Sequence, residues 1–590
     1  MFKKLFALLL AAVMVLSLAA CNVSVNTGTS DKPAEEEPAK EDEAEAPAAD
    51  TGEISHDEEY VVEMYDSYAN YQGEMTGWYA RILQDKFNLK INIICPNVAG
   101  TGDQLYTTRT AAGNLGDLIV QIKSRMIDCY NVGLLASMSP YLPNCPNLLK
   151  LETAYEAFRE AMGSDEVYAI PGWVSNNPDD QPSGRGVNLD KGTNVRWDAY
   201  IALGAPEINS HEELLDLLMK MQDEFPTNKN GDKCYALSLF PDWDGNTVRP
   251  AREWMWTYGY YPTVGYLWMK YDGSEIVNML DDDSLYYQYL KKYNEMYRAG
   301  YIDPDSATQT FEELGTKAKD GRTFFSWWTY LGNNMWNAGF NPETDYGFGL
   351  VPVNGTRYAI NGYNKYGQKD NAFAIGSEAK YPERLMEFLD WYGSEEGTLL
   401  FNSQVEGVTY ELVDGHPVLT EFGLSTDPDR QAPESMGGGN WTDGGQKINY
   451  PLIHSDDANS LIGGEPVTTT LWQSVLNNER NDYSNMWEEM YGYYAPLDYL
   501  KSKDQLGVVV GTTYTTPADS TDIANIRGQL SPITKDYGWK MIYAESEEEF
   551  QNLWDQMKVE IVDYGYDELV EWDTKVTQDW CDSIKAVHGK

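Results

Sequence analysis

From Tyr60 onward the chain alternates strand-like and helix-like segments, and no other feature limits its fold as strongly. Val61-Val62-Glu63-Met64-Tyr65 reads as a first strand, residues 76–87 as a helix, residues 90–94 as a second strand, and 118–121 as a third short apolar run. Strands separated by helical patterns imply an α/β fold, with a mainly parallel sheet and crossover helices. Ligands on such sheets sit beyond the carboxyl ends of the strands. Tyr68 and Asn70 after the first strand, and Gln121 at the end of the third, are therefore candidate ligand contacts. Ser210 with Glu213 forms a capping box before Leu214, Leu217, Leu218 and Met221, and Ser546 with Glu549 does so before Phe550, Leu553, Trp554 and Met557. Pro382 can open another helix, with Leu385, Phe388 and Leu389 behind it. These stripes are core and carry no chemistry.

Ahead of Tyr60 lies an address and a tether. Lys3 and Lys4 precede an apolar stretch, which ends in Leu18-Ala19-Ala20-Cys21. That ending is similar to a bacterial lipobox, whose cysteine is diacylated and becomes the new N-terminus. Residues 1–20 then form a lipoprotein signal peptide, and Cys21 holds the mature chain on the outer face of a cell membrane at about 0.8 kcal/mol per buried methylene. An ordinary secretory signal with an incidental cysteine is the alternative. Residues 21–58 carry the lipid-bearing cysteine and an acidic spacer. Asp31–Asp50 holds nine acids, two lysines and three prolines with no aromatic or β-branched residue, so it cannot bury enough to repay its ordering entropy. An acidic interaction tail is the other reading of this segment. No later apolar run approaches the length of a membrane span.

The charge balance removes several function classes. With 92 acids against 44 bases the formal charge is −48, which argues against nucleic acid and against adhesion to anionic lipid through a basic patch. Beyond Cys21 remain Cys95, Cys129, Cys145, Cys234 and Cys581, an odd number without a CxxC pair. A disulfide framework or thiolate zinc site is not expected, although one bridge within 95–145 stays open. Five scattered histidines give no metalloprotease motif, and phosphate-binding loops and nucleophile elbows are absent.

Several motifs resemble family 1 extracellular solute-binding proteins. Gly113-Asn114-Leu115-Gly116-Asp117-Leu118-Ile119-Val120 resembles the family's G-D-L-P-D-I-I segment, with Gly116 where proline is usual. Gly133-Leu134-Leu135 with Ser139-Pro140-Tyr141-Leu142 and Tyr168-Ala169-Ile170-Pro171 follow in family order. The block from Asn371 to Tyr410, with Glu406-Gly407-Val408-Thr409-Tyr410 and then Asp414-Gly415, is similar to that of the large lipoprotein and alginate-binding subgroup. The resemblance implies a two-lobed clamp that delivers a ligand, usually an oligosaccharide, to the permease subunits of an ABC importer without doing chemistry. It further implies lobes of 59–172 with 358–430 and of 173–357 with 431–590, crossing near 170–173, 356–359 and 425–440. Thr227–Asp232 resembles the acidic calcium loop of some relatives. Pro226 replaces its first carboxylate, Lys229 adds positive charge, and no glutamate follows at the twelfth position, so no cofactor is expected.

A glycan binder needs flat apolar faces for sugar C–H groups and planar polar groups for hydroxyls. Eighteen Trp and 42 Tyr exceed what packing requires, so their placement is the useful signal. Trp173 follows the crossing, Trp243 sits in a polar turn, Trp328 ends an apolar pair's strand, and Trp441 lies in a glycine-rich loop. For Trp254, Trp256 and Trp327 burial is the stronger reading, with Trp254 retained as a candidate. Glu406 is a polar candidate, or merely a loop carboxylate capping its turn. The charge disfavours an anionic ligand, so a neutral oligosaccharide is expected. Acidic oligouronides, peptides and, last, a glycoside hydrolase are the rivals; a hydrolase needs a carboxylate pair whose spacing sequence cannot give.

Overall fold

The structure, a computed structural model, describes residues 54–589 except 70, 97, 99–102, 184–188, 190, 332, 335–345, 368–370, 426, 428 and 479–481. The signal peptide, Cys21, most of the acidic spacer and Asn70 lie outside the described residues. No helix among the described residues is long and apolar enough to cross a membrane.

A six-stranded sheet runs in the order Gly73–Glu74, Leu89–Ile94, Tyr60–Asp66, Leu118–Gln121, Ala372–Ile375, Ile170–Pro171. The strand Tyr60–Asp66 is parallel to both its neighbours, and Ala372–Ile375 is antiparallel to both of its own. Side chains alternate across the sheet, as a strand's two-residue period requires. Leu118, Val120, Phe373 and Ile375 enter the core on one face, while Ile119, Ala372 and Ala374 enter the core on the other. Burial on both faces explains why these strands read as nearly continuous apolar runs. The departure at Gly116 is also explained here: its φ is +152°, and a Cβ would lie 2.9 Å from the carbonyl oxygen of Glu63. Proline fits neither condition.

A second sheet, in the order Phe325–Trp328, Lys191–Arg196, Gly347–Leu350, Asn333–Asn334, departs from the expected parallel pairing, because Lys191–Arg196 is antiparallel to both neighbours. It lies in the largest core, with Trp197, Trp254, Trp487 and Trp554 buried among helices such as Leu285–Arg298 and Glu547–Asp563. A three-stranded sheet, Tyr260–Pro262, Leu267–Lys270 and Ile276–Asn278, and a parallel pair, Tyr358–Asn361 with Leu506–Val509, complete the cleft side.

Ala432, Trp441, Ile448 and Leu452 pack in the core of the six-stranded sheet, so 431–452 sits with that sheet and not with the second. The glycine-rich loop is the cause. Gly445 approaches so closely that a Cβ would be 2.7 Å from the Cα of Phe401, and the loop thereby folds onto the first sheet's helices.

Candidate functional site

Three chain segments meet where the two large cores adjoin. The backbone N–H of Trp173 donates to Pro451 O (3.1 Å), Val174 to Leu452 O (2.9 Å) and Ser175 to Asn364 O (3.1 Å). Asp457 fastens the junction, accepting from the Ser175 hydroxyl and from the Asn176 backbone at 2.8 Å. Burial pushes the Asp457 carboxyl up, and its hydrogen bonds to Ser175 and Asn176 act against that. Trp173 itself has a φ of +54°, a conformation that non-glycine residues hold only where the surroundings impose it.

Three cavities have one lining residue in common, Asn361. One of about 250 Å³ lies between Lys123, just past the strand Leu118–Gln121, and Tyr261, Tyr514 and Trp580. Trp580 is half-buried, with Tyr514 stacked at 6.3 Å and Tyr261 edge-on at 5.9 Å. A second of about 110 Å³ is walled by Lys191, Trp256, Trp327 and Tyr358. The Lys191 ammonium lies 4.1 Å over the Trp256 ring and 3.6 Å from Glu253 Oε2. Burial alone would raise the Glu253 carboxyl, but Lys191, Arg249 and Arg252 more than offset it and hold it below the usual range. A third of about 590 Å³ sets the Trp173 indole among the amides of Asn402, Gln404, Gln446 and Asn449, with Asp456. Such apolar faces with a few placed polar groups are the chemistry of a small-molecule cleft.

Of the residues singled out in the sequence, Trp173 lines the third cavity. Tyr68 stands beside it: its ring meets Tyr450 edge-on at 5.4 Å, Tyr450 meets Trp173 at 6.1 Å, and Asn449 Nδ2 donates to Tyr68 O at 2.8 Å. Gln121 is buried and donates to the Ser67 hydroxyl, one residue before the cleft-lining Ile122-Lys123-Ser124. Beside Tyr68, burial pushes the Asp66 carboxyl up to about 8. Trp254 is wholly buried, donating to Tyr293 Oη at 2.8 Å. Trp328 is buried, and half-buried Trp243 packs on Trp328 and on Phe311 at 4.2 Å. Trp441 is buried and stacked on Trp78 at 4.5 Å and 9°, so the indole of the glycine-rich loop, a candidate ligand contact, packs in a core instead. Glu406 is exposed and bridges to Tyr410; it lines none of these cavities. Trp580, Tyr261, Tyr514 and Asn361 escaped sequence reading, and Trp256, for which burial was the stronger reading, is half-buried and lines the second cavity.

The calcium-like loop 227–232 is held by its own side chains. Asn228 Oδ1 accepts from the backbones of Asn230 and Asp232 at 2.9 Å, and its Nδ2 donates to Asp320 O at 2.8 Å. Lys229 Nζ lies 5.0 Å over the Tyr346 ring. An amide and a lysine thus occupy the place of carboxylate ligands, and the residues do not fit calcium. Among the described residues no group of three or more His, Cys, Asp or Glu is arranged to hold a metal. The five described cysteines are buried thiols, Cys95, Cys129 and Cys145 included.

No family model matches the chain, and no curated protein does. Solved structures do. Alginate-binding protein AlgQ2, in a crystal structure without calcium ion, is 15% identical with a TM-score of 0.55, over 89% of this chain and 98% of its own. The Streptococcus pneumoniae ABC-transporter substrate-binding protein FusA, in complex with kestose, is 16% identical with a TM-score of 0.56, over 89% and 99%. An HMO-binding, ABC-transporter-associated solute-binding protein from Bifidobacterium longum infantis is 18% identical with a TM-score of 0.56, over 90% and 100%. This chain has the two-lobed α/β fold of the ABC-transporter solute-binding proteins.

Proposed function

We infer that the chain is a solute-binding protein that captures an uncharged oligosaccharide between two lobes and hands it to the permease subunits of an ABC importer. The observation that carries this reading is the lining of the cleft: half-buried indoles at Trp173, Trp256 and Trp580 beside amides and hydroxyls, around one residue, Asn361. Indole faces cover sugar C–H groups, and amides pair with hydroxyls. The neighbours' own ligands, alginate, kestose and HMO, are carbohydrates, alginate being an acidic one. The first lobe comprises 59–172 with about 371–472, and the second holds the remainder. The two lysines of the cleft are already engaged, Lys123 with Tyr366 O and Gly367 O and Lys191 with Glu253, which favours a neutral ligand over an acidic one. Cys21, diacylated, holds the body on the outer membrane face.

The test is a thermal-shift and intrinsic-fluorescence panel of neutral oligosaccharides, oligouronides and peptides. A neutral oligosaccharide of two or more units is expected to raise the melting temperature, being worth about 2.7 kcal/mol at a hundredfold excess over Kd, with fluorescence changed and no product after long incubation. Silence across the carbohydrates sinks the reading; a cleaved product makes the chain a hydrolase.

A further inference from the structure

We propose that the ligand is a branched oligosaccharide whose branching unit sits at Asn361, with one arm in each of the three cavities. This rests on the carbohydrate reading above. A linear glycan passing the junction has two ends and fills at most two of three cavities. Here all three share Asn361, and the second and third also share Ser183. Ser183 occupies the carbonyl of Asn361 through its backbone N–H (2.8 Å) and its hydroxyl (2.9 Å). The Asn361 side-chain amide makes no hydrogen bond among the described residues. It offers both a donor and an acceptor at the point where the arms diverge.

The three cavities are also equipped alike in one respect. Each presents a single half-buried indole: Trp580 in the first, Trp256 in the second, Trp173 in the third. Their polar groups differ. The first adds phenols and threonines, the second a lysine held over the indole, and the third a set of amides. Three indoles in three different polar surroundings, that of Trp256 with Lys191 over its ring, suit three terminal units of unlike linkage. They do not suit repeats of one unit along a line.

The experiment uses the full chain and pairs of neutral tetrasaccharide isomers of equal composition, one linear and one whose inner unit carries the other three: mannotetraoses and glucotetraoses. Binding is read by intrinsic fluorescence and calorimetry. In at least one pair the branched isomer is expected to bind about tenfold or more tighter, the scale of one further apolar contact. Trp580→Ala, Trp256→Ala and Trp173→Ala should each weaken that isomer, whereas no linear isomer should respond to all three. Tyrosine at the same positions keeps a flat face and should restore most of the affinity, which separates lost stacking from a damaged fold. Equal affinity for both isomers in every pair that binds, or a branched isomer insensitive to one of the three changes, overturns the branched assignment and leaves the carbohydrate reading standing. Failure of every isomer to bind overturns both.

Discussion

Trp254 and Trp256 lie two positions apart in one helical turn, about 200° around its axis, and end in opposite environments. Trp254 stacks on Tyr289 at 4.7 Å inside the core, while Trp256 faces the cleft beneath Lys191. The sequence tells that the two must part, but not which goes inward. Trp441 is the converse case, since glycines around an indole suggest exposure, and here they permit close packing. Its stacking on Trp78, whose Nε1 donates to Trp441 O at 2.9 Å, makes it a structural residue. Trp441→Ala is expected to cost about 3–5 kcal/mol of unliganded stability, as large-to-small core changes do, and chemical unfolding measures it. A change within error would return Trp441 to the candidate contacts.

At the scale of elements, local signals carried well. The helix Gly77–Phe87 and the strands Leu89–Ile94 and Leu118–Gln121 fall within a residue of their sequence patterns. Ser210 and Ser546 cap their helices by accepting from Glu213 and Glu549, whose carboxylates reach back to the N–H of Asn209 and Glu545, one residue before the cap. Strand direction in the second sheet was not legible, because alternation fixes a strand's faces but not the route by which the chain returns. The loop 226–233 holds its turn with Asn228. A chelator should therefore leave the melting temperature within error. Asn228→Ala should lower stability by about 1 kcal/mol, the scale of losing an intramolecular hydrogen bond. A chelator-induced loss of several degrees would show that metal is bound.

For the whole molecule, the acidic charge and the proposed lipid anchor bear on where and how the body would work. A neutral ligand is indifferent to a long-range field of −48. Cys21→Ser is expected to shift the protein from the membrane fraction to the medium while ligand affinity stays unchanged, as fractionation and titration of the released chain will read. Retention on the membrane would refute the lipid anchor. The sequence by itself determined the α/β class, the caps, the stripes of the helices and the order of motifs along the chain, because each depends on residues close together in sequence. Only the tertiary structure decided which tryptophans face the cleft, that 431–452 joins the first core, and that Asn361 lines three cavities together with side chains from Lys123 to Trp580. Those outcomes depend on contacts between segments hundreds of residues apart, and no local pattern records them.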